Sequence, residues 1–444
     1  MISPGGPSLV IRRFTRFLLK VTLVGVAFTS NLVAQDAPPR RTVIVGVNIV
    51  DLDGGPPTRN AVVEIEGNRI LSIQAGSGRD EHVTAGNRVD AIEADGMWLV
   101  PGLMNMHVHF GLVLPGVGGA ALANETEAEL ALRMAEAARG ALHAGVTTVR
   151  TTGERGHVDL ALARAIERGA AEGPRIFSAG EEVEVTGGHG SEVGARANDG
   201  PYEFREAVRV QIRAGARWIK VSISGGIATP GGDIAASFLT RDEMEAVTDS
   251  AHRLGAKVTA HSGSPVATRQ AVEAGVDGIE HGYFLTPEVF RLMRQNGTWL
   301  VPTIVVAQPA TLPFFERIGS PQWYLDRVQM VGQRHFQALR DAIAAGVRIA
   351  LGTDQLPQEP NDGTISTVRE AEYYVEAGMT PLQALRAATI ETATMLGVED
   401  ELGSVEVGKI ADLILVDANP AENISALRSI RFVMKDGQIV RDDR

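Results

Sequence analysis

The stretch Val100-Pro101-Gly102-Leu103-Met104-Asn105-Met106-His107-Val108-His109-Phe110 is a short apolar run closed by two histidines one residue apart. Read as a strand, it puts residues two apart on one face, so His107 and His109 point the same way and can grip one metal ion together. Two packed or surface histidines are the plainer reading of such a pair, and the rest of the chain has to decide between them.

Outward from this strand, the middle of the chain alternates short apolar strands with capped helices, the pattern of parallel βα units in an α/β protein. Eight strands are predicted: Leu99 to His107, Val146 to Thr151, Arg175 to Ala179, Trp218 to Ser222, Lys257 to Ala260, Gly278 to Glu280, Trp299 to Ile304 and Arg348 to Leu351. Helix ends are marked between them. Thr240 caps with Glu243 three residues on, Ser264-Pro265 starts a helix, and Gly255, Gly275, Gly346 and Gly397 stop helices. Eight such units close most naturally into a (β/α)8 TIM barrel, here spanning residues 101–402.

A barrel gathers its chemistry at the C-terminal ends of its strands. The unusual polar residues fall there. His107 and His109 end strand one, His189 follows strand three in Thr186-Gly187-Gly188-His189-Gly190, and Lys220 lies inside strand four. His261 ends strand five, His281 ends strand six, and Asp354 ends strand eight in Leu351-Gly352-Thr353-Asp354. Alone, His261 or His281 reads as a hydrogen-bonded core histidine and Asp354 as a helix cap; jointly those readings become improbable. His82, His143, His157, His252 and His335 serve as controls, since they fall in helical or turn segments and read as structural or surface residues.

Lys220 is the odd member. An ammonium buried among metal ligands would repel the cations and lose several kcal/mol to desolvation. Carboxylated by carbon dioxide to N6-carboxylysine, it becomes an anionic carbamate with two oxygens, able to bridge two metal ions. A lysine snorkelling to the barrel mouth is the other reading, and its position within an apolar strand favours the bridge.

Composition narrows the partners. With 44% hydrophobic and 22% charged residues the chain is globular, and its 444 residues suffice for a large core. A formal net charge of -12 without a basic patch argues against nucleic acid or an anionic membrane, and for a small-molecule substrate. The chain has no cysteine, which excludes disulfides, thiolate zinc sites and thiol nucleophiles. A homo-oligomer is compatible with all of this.

The two ends differ from the middle. Arg12, Arg13 and Arg16 precede an apolar segment from Phe17 to Phe28, with the small Ala34 beyond it, so residues 1–35 read as a signal peptide. The apolar stretch falls short of the ~20 residues of a spanning helix, so no membrane anchor is expected after cleavage and the protein is expected in the periplasm or secreted. From Arg41 the runs Val43 to Val50, Ala61 to Glu66 and Arg69 to Gln74 predict a small antiparallel sheet. Ala411 to Val416 and the hairpin from Arg431 to Val440 echo it. One composite β-sandwich of residues 41–100 and 403–444 is expected.

The Pro-Gly-Leu-x-x-x-His-x-His stretch, Lys220, His261, His281 and Asp354 resemble, in chain order, the binuclear members of the amidohydrolase superfamily. The resemblance covers about Arg41 to Arg431, including Gly408-Lys409-Ile410-Ala411-Asp412-Leu413. Gly225-Gly226, Ala260-His261-Ser262-Gly263 and Ile279-Glu280-His281-Gly282 look like the branch of imidazolonepropionase-like hydrolases, Xaa-Pro and other dipeptidases, and ochratoxin-degrading amidases. The resemblance implies His107, His109 and Asp354 on one divalent ion and His261 and His281 on the other, with carboxylated Lys220 and a hydroxide bridging them. It implies Asp354 as general base, then general acid, and zinc as the metal, with manganese, cobalt or iron as alternatives.

His189 in its Gly-rich turn is placed to bind a substrate carbonyl or carboxylate, or else to fix its own backbone. The loop Ser222 to Asp233 reads as a flexible lid, while Leu312-Pro313-Phe314-Phe315 and Trp323-Tyr324 either line a pocket or pack on the barrel wall. The expected activity is hydrolysis of a dipeptide or N-acyl amino acid, of which ochratoxin is one example. Hydrolysis of a cyclic amide, lactone or imidazolone ring is the alternative, and a non-catalytic assembly protein that keeps the barrel is the remaining one.

Overall fold

A computed structural model describes residues 41–76, 89–111, 113–190 and 197–444. The signal-peptide reading of residues 1–35 and the control residue His82 lie outside these residues. In chain order the strands are β1 (Arg41–Ile49), β2 (Thr58–Glu66), β3 (Arg69–Gln74), β4 (Val89–Glu93), β5 (Trp98–Pro101) and β6 (Leu103–Val108). They continue with β7 (Val146–Thr151), β8 (Arg175–Ser178), β9 (Trp218–Ser222), β10 (Lys257–Ser262), β11 (Gly278–His281) and β12 (Trp299–Val301). A short ribbon of β13 (Pro360–Asn361) and β14 (Thr364–Ile365) comes before β15 (Leu413–Val416), β16 (Ile430–Lys435) and β17 (Gln438–Asp442).

The histidine-bearing stretch serves two sheets. Where the sequence predicts one strand over Leu99 to His107, β5 pairs antiparallel with β15 and β6 pairs parallel with β7. Pro101 has no N–H for a ladder, and a Cβ on Gly102 would lie 2.3 Å from the Thr147 side chain, so the run breaks between them.

Parallel pairing then runs round a circuit. β6 pairs β7, β7 pairs β8, and β9, β10, β11 and β12 follow one another. The joint between β8 and β9 is made beyond β8, where Val183 N donates to Lys220 O at 2.9 Å and Ser222 N to Val183 O at 3.0 Å. On the far side, Leu300 N donates to Arg348 O at 2.9 Å, and Met106 N returns the chain to β6 by donating to Leu351 O at 2.7 Å. The predicted eighth strand is therefore a bridge at Ile349, not a ladder. The seventh stops at Val301 because Thr303, at φ +53°, turns the chain into a 3₁₀ segment over Ile304–Ala307.

The connecting helices bury one stripe each. In the helix Glu127–His143, Leu130, Met134, Ala137, Ala138 and Ala141 recur at three- and four-residue spacing against the strands. Thr240 and Glu243 form the expected capping box, Ser264 accepts from Ala267 N ahead of Pro265, and Gly346 and Gly397 close their helices in the left-handed conformation. Among the described residues no helix is long and apolar enough to cross a membrane.

Both chain ends join one sheet, in the order β17-β16-β15-β5-β1-β2-β3 with β4 also on β1. It is mixed, not antiparallel as expected, since β4 and β5 both lie parallel to β1. Side chains alternate between two cores. Leu99, Leu413 and Leu415 pack with Ile44, Val63 and Phe432, while Val100, Ile414 and Val416 join the large core with Leu103 and Val146.

Candidate active site

The strand ends bring three ligand atoms together at close range. His107 Nε2 and His109 Nε2 lie 3.2 Å apart, and Asp354 Oδ1 sits 3.1 Å from the first and 3.3 Å from the second. Two imidazole nitrogens and a carboxylate oxygen converging on one point is the donor set of a divalent cation. His281 belongs to the same group, its ligand atom within 4.8 Å of those of His107 and Asp354. His261 stands beside it, with ring centroids 4.5 Å apart.

Each histidine is held from behind. Nδ1 of His107 meets Glu280 Oε2 at 2.7 Å, that of His109 meets Gly153 O at 3.1 Å, and that of His281 meets Thr303 Oγ1 at 2.7 Å. Their Nε2 atoms are thereby aimed into the cluster, where Thr152 Oγ1 also lies 3.3 Å from that of His109. His261 is held the other way round, by Nε2 on Gly225 O at 3.1 Å, which leaves its Nδ1. Burial, reinforced by neighbouring positive groups, pushes His261 and His281 well below the ordinary imidazole range, so both are neutral and able to ligate. Burial works to raise the Asp354 carboxyl, but His107, His109 and His281 together hold it well below the usual carboxylate range.

Two of these residues adopt unfavourable backbone. His281 has φ +66° and Asp354 φ +52°, a left-handed conformation that side-chain-bearing residues adopt rarely and at some cost. The turn at His281 lets adjacent Glu280 and His281 serve the same site, where an unbroken strand would point them to opposite faces.

Lys220 is buried in β9, its Nζ 3.7 Å from Glu182 Oε1, which also accepts from Ser222 Oγ at 2.5 Å. Its charge reaches His109, His261, His281 and Glu280. An ammonium in that position does not suit a cation site, whereas a carbamate on the same nitrogen does. His189 packs on His261 with centroids 4.2 Å apart, and its Nδ1 lies 2.8 Å from Thr229 Oγ1. Thus His107, His109, Lys220, His261, His281 and Asp354 form one cluster, with His189 at its edge.

Several residues of the cluster carry no signal in the sequence pattern used above. Glu280 accepts from Arg150 and Thr259 and touches His107, and its carboxyl is lowered to about 2 because Arg150 and then His107 overcome the cost of burial. Arg150 also donates Nε to Met106 O at 2.8 Å and lies 4.5 Å over the Trp218 ring. The available clue was the one that singled out Lys220, a charge inside an apolar parallel strand. Glu154 is a further buried carboxyl, raised to about 7 by desolvation.

Of the control histidines that are described, three have partners elsewhere, while the fourth, His335, also reaches the site through its Nε2, 3.2 Å from His281 O. His143 meets Glu172 at 2.9 Å, His157 meets Gln211 at 2.7 Å and His252 meets Asp277 at 2.8 Å. His335 is buried beneath the site, with Nε2 2.6 Å from Pro302 O.

Above the cluster lies a cavity of about 740 Å³ whose lining includes His109, Asp354 and His189 together with Phe315, Trp323 and Tyr324. The aromatic segments left open between pocket and wall therefore contribute to the cavity. The loop read as a flexible lid contributes Ile227, Ala228 and Pro230 to the same lining.

Residues 98–440 match the sequence profile of the amidohydrolase family. The chain is 29% identical to an ochratoxinase from Aspergillus niger over 92% of its own length and 89% of that protein's. It superposes on the crystal structure of a Xaa-Pro dipeptidase with bound methionine at a TM-score of 0.79, with 34% identity over 90% of this chain and 99% of that one. The crystal structure of A. niger ochratoxinase gives a TM-score of 0.77 and 29% identity, over 91% and 96% of the two chains.

Proposed function

Since this chain belongs to the amidohydrolase family and is a hydrolase acting on amide bonds, we propose that it cleaves a dipeptide or N-acyl amino acid and releases a free amino acid. The observation that carries this reading is the convergence of His107 Nε2, His109 Nε2 and Asp354 Oδ1 at the floor of a cavity large enough for such a substrate.

The family is metal-dependent, and we assign two divalent ions, zinc by preference, to the site. His107, His109 and Asp354 would hold one, His261 and His281 would hold the other, and Lys220, carboxylated to a carbamate, would supply oxygens to both. When bound, the pair supplies Lewis acidity that activates water and polarises the amide carbonyl. The protein's residues do the rest. Asp354, ionised across the neutral range, takes the proton of the attacking water at its carboxylate and returns it to the leaving amine. His189 binds a carbonyl or carboxylate of the substrate from the edge of the cluster, and the cavity walls exclude water. The circuit of parallel pairing supports a (β/α)8 barrel over residues 101–402, and the sheet of both chain ends supports a small sandwich over 41–100 and 403–444. Arg12, Arg13 and Arg16 ahead of the apolar segment Phe17 to Phe28 support the proposal of export to the periplasm or beyond.

The test is to incubate metal-loaded protein with a panel of dipeptides and N-acyl amino acids and to measure released amino acid. Release from at least one class is expected. Turnover of a lactone or imidazolone with no release from any amide would overturn the substrate assignment.

A further inference from the structure

The loop after Lys220 is built as a wall. Arg327, on the helix Gln322–Ala345, donates Nη2 to Gly226 O at 2.7 Å, Nε to Ile227 O at 2.9 Å and Nη1 to Gly232 O at 2.8 Å. All three guanidinium nitrogens are spent on backbone carbonyls of one loop about a hundred residues earlier in the chain. A guanidinium fork fits such a set of acceptors, and an ammonium does not reproduce it.

The clamped segment is tied to the site just before the clamp and again within it. Gly225 O, the carbonyl before the first one held by Arg327, is the acceptor that orients His261. Thr229 Oγ1, between the held carbonyls of Ile227 and Gly232, meets His189. Contact is close enough that a Cβ on Gly226 would lie 2.3 Å from the His189 ring. The result is that Ile227, Ala228 and Pro230 line the cavity in a fixed arrangement.

Further lining of the cavity comes from the same helix as the clamp. Trp323 and Tyr324 stand one turn before Arg327, and Tyr324 packs edge-on to Phe315 at 5.0 Å and to Trp323 at 5.8 Å. One helix start therefore supplies aromatic lining and holds the apolar loop that lines the same cavity. A cavity lined by both matches a flat, bulky apolar group.

We propose that Arg327 is a specificity-determining positioning residue, and that the apolar and aromatic lining it maintains selects substrates bearing an aromatic group on the amide. The inference rests on the amide-hydrolase reading above and adds the class of group the cavity takes.

The experiment compares wild type, R327A and R327K on paired N-acetyl and N-(2-naphthoyl) derivatives of one amino acid, with hydrogen exchange of the amides of residues 226–232 followed in parallel. In wild type the naphthoyl substrate has the higher kcat/KM. In R327A the ratio of naphthoyl to acetyl kcat/KM falls about tenfold and loop exchange rises; R327K, with one ammonium for three carbonyls, lies between. A ratio unchanged within twofold in a folded R327A overturns the proposal, whatever the loop does. Should wild type turn over neither amide, the amide reading fails by itself and calorimetric titration with 2-naphthoate decides the proposal. Binding that weakens about tenfold in R327A upholds it, and no binding by wild type overturns it. If R327A does not fold, R327K carries the comparison with the same signs.

Discussion

Glu280 Oε2 lies 2.7 Å from His107 Nδ1, and both side chains are wholly buried. Glu280 is fixed in turn by Arg150 and Thr259, and Arg150 by the carbonyl of Met106, the residue before His107. The carboxylate thus holds the imidazole with Nδ1 protonated and Nε2 free, and its negative charge makes that nitrogen a better donor. Glu280→Gln keeps the shape and removes the charge. Metal affinity should fall 10–100-fold, measured by competition with a chromophoric chelator. Affinity within a factor of three of wild type would mean that Glu280 serves packing alone.

Lys220 offers a test of the carbamate with one readout, bound-metal stoichiometry, that does not depend on the substrate. Lys220→Ala should abolish activity and lower the bound-metal stoichiometry, and a short carboxylic acid such as acetate should restore part of both by entering the space left by the side chain. A variant that keeps two tightly bound metals and full rate would remove Lys220 from the site. Glu182, 3.7 Å from Nζ, is the residue whose charge the unmodified amine balances.

Much of the arrangement was legible because strand ends in a closed parallel fold are neighbours in space however far apart in sequence. His107, His261, His281 and Asp354 could be placed together on that argument alone. Glu280 and Arg150 could not, since a polar residue in a strand faces one side or the other according to local backbone, and the turn at His281 breaks the alternation. The loop at Gly225-Gly226 misled for a related reason. Glycines there read as flexibility, whereas they permit close contact with His189 and Asp233, and the residue that fixes the loop lies on a distant helix. The small sheet was read as antiparallel because hairpin signals are local and parallel crossovers are not.

His335 should leave a mark on acid stability. Burial lowers it to about 4 from 6.5, and its Nε2–H is spent on Pro302 O. Between those values the unfolded chain binds the proton and the folded one does not, so stability present above about pH 6.5 is lost as pH falls toward 4. The full difference is about 3 kcal/mol at 1.36 kcal/mol per pH unit. Metal-free wild type and His335→Gln should be compared by denaturant titration from pH 7 to 4. The variant is expected to be weaker at neutral pH with a shallower decline. Parallel declines would assign the acid sensitivity elsewhere.

Gly352 sets how closely the segment carrying Asp354 approaches β6. A Cβ there would lie 2.3 Å from Val301 Cγ1 and 2.8 Å from His107 Cβ. Gly352→Ala must push the two segments apart, at a cost of about 1–3 kcal/mol for overpacking. A lower denaturation midpoint should therefore accompany weaker metal binding, because Asp354 N also bonds His107 O at 2.8 Å. A variant of wild-type stability and metal content would show that the strands slide freely here.

Asp354 has two roles that one substitution separates. Its φ of +52° is tolerated by Asn as well as by Asp, so Asp354→Asn keeps the backbone and one coordinating oxygen while removing the proton acceptor. If the carboxylate carries the proton from water to the leaving amine, kcat should drop about 10²–10⁴-fold with metal still bound to the histidines. The pH profile adds a second reading. Against the opposing effect of burial, His107, His109 and His281 together hold the Asp354 carboxyl well below its ordinary range, so the wild-type acid limb should not lie above that range. In the variant, the residual rate should lose any limb that belonged to Asp354. A kcat within fivefold of wild type, with unchanged metal content, would assign proton transfer to another group, and Glu154, raised to about 7 by burial, would be the next carboxyl to substitute.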